Sequence, residues 1–352
     1  MTKSKSEYLS TVTFLATALV VLCHTDDALP PEMKTRFVSW LGSRFSAADV
    51  SNFFFLSGLL LARHYGEEGW WGSALLKRVR TLLVPYLAWC VIYWVYRIVM
   101  GLIALAFGTN VLLREVLLQP DLGISHAFGF GLLLQPWCFP MWYIKCLFYF
   151  ILVSPLLFAI LKHSRINVLM VVGLCVCVNA VASGYDWFFA PVFGFGFNLI
   201  GFAVYAIGAH LAIHGIDISR RKPVWVGVMA LGAWVAVTWF SPFVCVYAGL
   251  PRVFNIAVGV VGLHLLVAAL PWRVPQAIAS TSFFVFAIHA MMLGVVKDAY
   301  MYLPIPRCCP ELTMLLIFAV TVCIGIALAR ICNKTMPRLS GVLSGGRASR
   351  RF

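Results

Sequence analysis

The chain has 352 residues, 62% of them hydrophobic and only 11% charged, with a mean hydropathy of +0.91, which excludes a water-soluble globule of average composition. Its formal net charge of +14 does not point to nucleic acid, because the basic residues are spread among short loops instead of forming one basic domain interleaved with aromatics. A polytopic membrane protein remains, in which charge reports topology.

A helix crossing ~30 Å of hydrocarbon needs about 20 mostly apolar residues. Ten segments fit: 8–24, 50–63, 82–100, 142–161, 168–182, 197–213, 224–240, 253–270, 278–296 and 312–331. They predict an all-α bundle of about ten transmembrane helices, without internal repeat or soluble domain. Basic residues occupy every second loop, at Lys3 and Lys5, Lys77 to Arg80, Lys162 and Arg165, Arg220 to Lys222, Arg273, and Lys334 onward. The intervening loops hold most of the acid. By the positive-inside rule both termini are expected in the cytoplasm of a cell (inner) membrane protein.

The first span follows Lys3 and Lys5 as a secretory signal would, yet no small-x-small cleavage site follows Cys23, so a retained helix is expected. Its apolar run, Val12 to Cys23, ends at His24, and Asp26 and Asp27 are expected to open a polar loop. An ionisable group at that depth, with an unperturbed pKa near neutrality, is a functional candidate by default. The second span begins polar, at Asp49, Ser51 and Asn52, so it is expected to lean on neighbours inside the bundle. Within it, Phe53-Phe54-Phe55-Leu56-Ser57-Gly58 sets a bulky face beside a small one, and close helix approach at Ser57 and Gly58 is preferred to a catalytic Ser57.

Lys77, Arg78 and Arg80 stand at the inner mouth of the third span, either as topological anchors or as a cradle for the phosphates of a soluble cofactor. The long outward loop that follows, roughly 101–141, contains two amphipathic stretches, 102–118 and 125–134. The fourth span opens on Met141-Trp142-Tyr143-Ile144-Lys145 and contains Ser154-Pro155-Leu156-Leu157; the ninth contains Ser282-Phe283-Phe284-Val285-Phe286-Ala287-Ile288-His289. His210 and His214 have a ligand-like i, i+4 spacing, but no Glu or Cys completes a site nearby, and no metal is expected. Cys138, Cys245, Cys308 and Cys309 fall in outward loops, where one disulfide is an open question. The chain after Cys332 is short, basic and rich in Gly and Ser. It is expected to be flexible and drawn to anionic lipid, with one transmembrane domain over 1–340 and a tail over 341–352.

The ordered set of His24, the Phe-Phe-x-x-Ser-Gly segment at 53–58, the basic stretch before Pro85-Tyr86, the Trp142 segment before Ser154-Pro155-Leu156-Leu157, and Ser282 to His289 resembles the acyltransferase 3 family of integral membrane acyltransferases. The chain departs from the family pattern at Thr13, where many members carry Arg, at Thr81 in the basic stretch, and at Phe286 and Ala290 beside His289. The resemblance implies O-acyl transfer, most often of acetyl from acetyl-CoA, to a hydroxyl of an extracytoplasmic or lipid-linked glycan. The acyl-CoA is a co-substrate, and no cofactor is held permanently. On this reading His24 and His289 are the catalytic candidates, Lys77, Arg78 and Arg80 hold the acyl-CoA, and Ser57, Trp142, Tyr143 and Lys145 are candidates for acceptor contact. His24 would act as a general base or as a covalent acyl carrier. His289 would share the donor site or serve packing. The rival reading is a transporter or flippase for a glycan or small anion, its path lined by Asn179, Asn198, Asn255 and His264, with the lipid bilayer and no nucleic acid as partner in either case.

Overall fold

The computed structural model describes residues 3–106, 138–183, 198–241, 250–302 and 309–346. The described residues are helical throughout, with no strand, as expected where a bilayer leaves backbone polar groups no partner but one another. The principal helices are α1 (Lys3–Ala28), α2 (Asp49–Leu61), α3 (Trp70–Arg78), α4 (Val84–Ala106), α5 (Trp142–His163) and α6 (Asn167–Ser183). They continue with α7 (Leu199–Ile213), α8 (Val224–Phe240), α9 (Leu250–Ala269), α10 (Ser282–Tyr302), α11 (Pro310–Thr335) and α12 (Pro337–Leu343). Six helical stretches are long and apolar enough to cross a membrane, and four shorter apolar helices, within α6, α7, α8 and α10, coincide with the remaining expected spans.

Helix α2 is the hub. Nine of its residues, from Val50 to Leu61, are buried, on all sides of the helix, and Phe54, Phe55 and Leu59 join clusters that reach α1, α5, α7 and α9. It also extends outward through the short helical turns Arg36–Ser39, Trp40–Arg44 and Phe45–Ala48, so the second span is longer than its apolar run. That extension is fixed to the end of α8: Trp40 Nε1 donates to Thr238 Oγ1 (3.1 Å), Trp234 Nε1 donates to the Phe45 carbonyl (3.1 Å), and Arg44 Nη1 donates to the Thr238, Trp239 and Ser241 carbonyls. A buried guanidinium on the last carbonyls of a helix completes its hydrogen bonding and meets the negative end of its dipole.

The closest helix contact is between α2 and α7. A Cβ added to Gly58 would lie 2.0 Å from the Tyr205 carbonyl oxygen, and one added to Gly208 would lie 2.1 Å from that of Phe55. The glycines therefore let two backbones touch reciprocally, the packing role read for Ser57 and Gly58. Large apolar residues at the rim, including Leu169, Met170 and Leu174 of α6 and Val224, Trp225 and Val228 of α8, are exposed, as a lipid-facing belt requires.

Two expectations change. Asp26 and Asp27 open no loop, because α1 continues to Ala28. Residues 333–346, expected to be flexible, are held: α11 runs to Thr335, α12 packs on α4, Trp89 Nε1 donates to the Leu343 carbonyl at 2.9 Å, and Ser340 and Leu343 are buried. Apolar side chains at the end of this basic segment give it a docking face that composition alone hides. The thiols of Cys138 and Cys309 are free, with Cys138 buried against the Ala287 carbonyl (3.9 Å), while Cys245 and Cys308 lie outside the described residues. The amphipathic stretches of the long outward loop lie, beyond Ala106, outside the described residues too.

At the basic end, Lys5 pairs with Asp217 at 3.3 Å, joining the start of α1 to the turn after α7. The Ser219 hydroxyl first, then the Ser219 N–H and Lys5, hold the Asp217 carboxyl down to about 2.

Candidate active site

His24 sits one turn before the end of α1, where Asp27 is three residues ahead on the same helix face. Its Nδ1 lies 3.2 Å from Asp27 Oδ2. The Asp27 side chain is 64% exposed and that of His24 is 24% exposed, so the pair orients the ring more than it stabilises the fold. With Nδ1–H given to the carboxylate, the lone pair of a neutral His24 is on Nε2.

The other face of the ring stacks on His289 of α10, with centroids 5.1 Å apart and planes 24° from parallel. Phe139, from the turn that precedes α5, meets His24 edge-on at 6.1 Å. His289 is completely buried, and its Nδ1 lies 2.5 Å from the Phe286 carbonyl. An Nδ1–H bonded to a carbonyl leaves Nε2 as an acceptor, and that atom is buried without a partner. Two imidazoles separated by most of the sequence are thus stacked on each other, each with Nδ1 engaged; His289 Nε2 is enclosed without a partner.

Two further polar groups stand on the first turns of α2. Asp49, at the first turn of α2, is within electrostatic reach of His24, Asp27 and Arg252. Asn52, one turn further and fully buried, donates Nδ2 to the Ala48 carbonyl (2.6 Å) and leaves Oδ1 unpartnered. Toward the basic end, Phe286 packs on Tyr143 (4.6 Å) and Phe53 (5.8 Å), and Tyr143 contacts Phe54.

The three cations separate. Lys77 and Arg80 are exposed, whereas Arg78 is half-buried and interacts electrostatically with the phenols of Tyr205 and Tyr143. Its helix is turned inward by aromatic anchors: Trp70 stacks on Phe158 at 5.4 Å, Tyr65 meets Phe158 edge-on at 5.7 Å, and Trp71 Nε1 donates to the Ile151 carbonyl at 3.1 Å. Arg78 is therefore within electrostatic reach of Tyr205 and Tyr143, and the Tyr143 ring packs on Phe286, which in turn contacts His289.

Among the acceptor candidates, Tyr143 and Lys145 are buried on α5, Trp142 is half-buried against Phe54 (6.2 Å), and Ser57 is half-buried at the α2–α7 crossing. Tyr143 alone of the four is in the aromatic layer under the histidines. Of the polar groups that a transport path would use, Asn198 Oδ1 caps α7 by accepting from Gly201 N–H (2.6 Å) and His264 Nδ1 meets the Tyr8 hydroxyl (2.6 Å) between α9 and α1, while Asn255 Oδ1 and His264 Nε2 are buried without a partner. His214 Nε2 meets the Leu161 carbonyl at 3.1 Å, which ties α7 to α5 beside His210.

Sequence reasoning missed Asp27 and Asp49 as companions of His24. The i, i+3 spacing of His24 and Asp27 was a readable signal once α1 is allowed to continue; Asp49 left none, since it reaches the histidines from another helix.

A sequence model of the acyltransferase domain matches residues 7–333. No curated protein and no solved structure gives a match.

Proposed function

The chain belongs to the acyltransferase 3 family and is a membrane acyltransferase, and on that premise we propose that the His24–His289 pair is where an acyl group leaves coenzyme A for an acceptor hydroxyl. The observation that carries this reading is the stacked histidine pair, with Nδ1 of His24 on Asp27 and Nε2 of His289 without a partner.

A sugar hydroxyl is a poor nucleophile at neutral pH, so attack on a thioester calls for a base in hydrogen-bond reach, worth roughly 10²–10⁴ in rate. His24 Nε2 takes the hydroxyl proton as the oxygen bonds to the thioester carbonyl carbon. The carbon–sulfur bond then breaks, and the proton passes from His24 to the departing thiolate. Asp27 fixes the tautomer and steadies the transient imidazolium, which favours the base reading over a covalent acyl-imidazole. His289, buried, holds the ring of His24 by stacking and has its own Nε2 without a partner beside it. Arg78 receives the donor's phosphates from the basic, cytoplasmic side, assisted by the exposed Lys77 and Arg80, and the acceptor, a glycan hydroxyl, enters from the opposite side. Acetyl is the acyl group expected.

Incubating the purified protein with labelled acetyl-CoA and envelope glycans tests this. His24→Ala is expected to abolish label transfer at unchanged protein level; full transfer by that variant removes His24 from the reaction.

A further inference from the structure

At the basic end of the bundle, away from the histidines, the start of α10, the last turns of α11 and helix α12 border a small cleft that opens to solvent. Its polar lining is Ser280, Thr281, Arg330, Asn333, Ser340 and Ser344, over a floor of Phe284 and Ala329. Arg330 and Asn333 are three residues apart on α11 and project from one face. Arg330 has no ion pair or hydrogen bond among the described residues. The cleft lining includes no carboxylate, and Asp298 of α10 and Glu311 of α11 lie at the opposite ends of those helices.

Helix α10 adds to this positive balance. It is 21 residues long and begins at Ser282, so its first turn, whose N–H groups have no partner within the helix, borders the cleft beside Thr281. The Ser280 hydroxyl is held only by a 3.5 Å contact to the Ala277 carbonyl and is available to a ligand. A planar guanidinium, an amide and the Ser280 hydroxyl beside a helix N-terminus suit a tetrahedral group with several oxygens better than a flat carboxylate, the Thr281 and Ser344 hydroxyls being already given to the Ile278 and Ser340 carbonyls.

The geometry points to a phosphate-binding site at Arg330 and Asn333, distinct from the Arg78 cradle and independent of the acyl-transfer reading. Its ligand is a phosphomonoester or phosphodiester, supplied either by a soluble molecule such as a coenzyme A phosphate or by the headgroup of an anionic phospholipid.

Full-length protein separates the sources without turnover. In detergent, coenzyme A is titrated calorimetrically into wild type, Arg330→Gln, Arg330→Lys and Asn333→Ala. In parallel, thermal unfolding is followed in phosphatidylcholine nanodiscs with and without phosphatidylglycerol. A soluble ligand is indicated if Arg330→Gln weakens coenzyme A binding roughly tenfold, the scale of a hydrogen bond to a charged group, and Arg330→Lys recovers part of the loss. A lipid headgroup is indicated if phosphatidylglycerol raises the melting temperature of wild type and Arg330→Lys but not of Arg330→Gln. The proposal is overturned if Arg330→Gln and Asn333→Ala match wild type in both arms. That result leaves the His24 test untouched.

Discussion

Replacing Gly58 by Ala probes the contact that sets the bundle's internal geometry. The new Cβ would stand 2.0 Å from the Tyr205 carbonyl oxygen, 2.9 Å from its carbon and 3.1 Å from the Ala209 nitrogen. All three are backbone atoms, so no rotamer change relieves the clash, and α2 and α7 must part by about 1 Å or more. Overpacking of this kind costs about 1–3 kcal/mol, and the backbone obstacle places Gly58→Ala in the upper half of that range. Alanine regains up to ~1 kcal/mol through its helix propensity, leaving a net loss of roughly 1–2 kcal/mol. Gly232 of α8 is the matched control, since a Cβ there meets nothing within 4 Å. Gly232→Ala is expected to melt with, or slightly above, the wild type. Gly58→Ala is expected to melt a few degrees lower in detergent and to lose transferase activity, because α2 carries Asp49 and Phe53 toward the histidine pair and α7 carries Tyr205 beside Arg78. If Gly58→Ala melts no lower than Gly232→Ala, the reciprocal glycine contact does not set the α2–α7 spacing.

Asp27→Asn preserves size but removes the carboxylate that receives the His24 proton; kcat in steady-state acetyl transfer is expected to fall roughly 10- to 100-fold, part of what the base supplies, with KM nearly unchanged. An unaltered kcat would show that Asp27 does not orient the ring. Arg78→Ala is expected to raise KM for acetyl-CoA about tenfold, while Lys77→Ala and Arg80→Ala, which remove exposed charges, change it about twofold or less; equal effects of all three would contradict an inward role for Arg78. Trp89→Phe deletes the N–H that holds the Leu343 carbonyl and should loosen α12 by ~1 kcal/mol, read as faster hydrogen exchange over 337–343. Unchanged exchange there would mean that side-chain packing alone docks the segment.

Hydropathy located the long apolar helices among the described residues because each helix satisfies its own backbone, so an apolar run of sufficient length has little choice of structure in a bilayer. The ordered motifs likewise identified the family, and His24 stood out from its depth alone. The polar end of α1 was misread for a local reason: Asp26 and Asp27 are loop-forming by composition, yet an i, i+3 partner and a threonine bonded back to Val21 let the helix run on. Local spacing also made Lys77, Arg78 and Arg80 equivalent, although the Trp70 and Trp71 contacts with α5 turn only Arg78 inward.

The sequence by itself determined that the chain is a helical membrane acyltransferase and where its helices run. Only the tertiary structure decided that His24 lies on His289, that Asp49 joins them from a third helix, and that Arg330 faces a cleft built by α12. Rotation and depth of one helix against another depend on contacts such as Gly58 on Tyr205, between residues far apart in the chain, and no periodicity along a single segment records them.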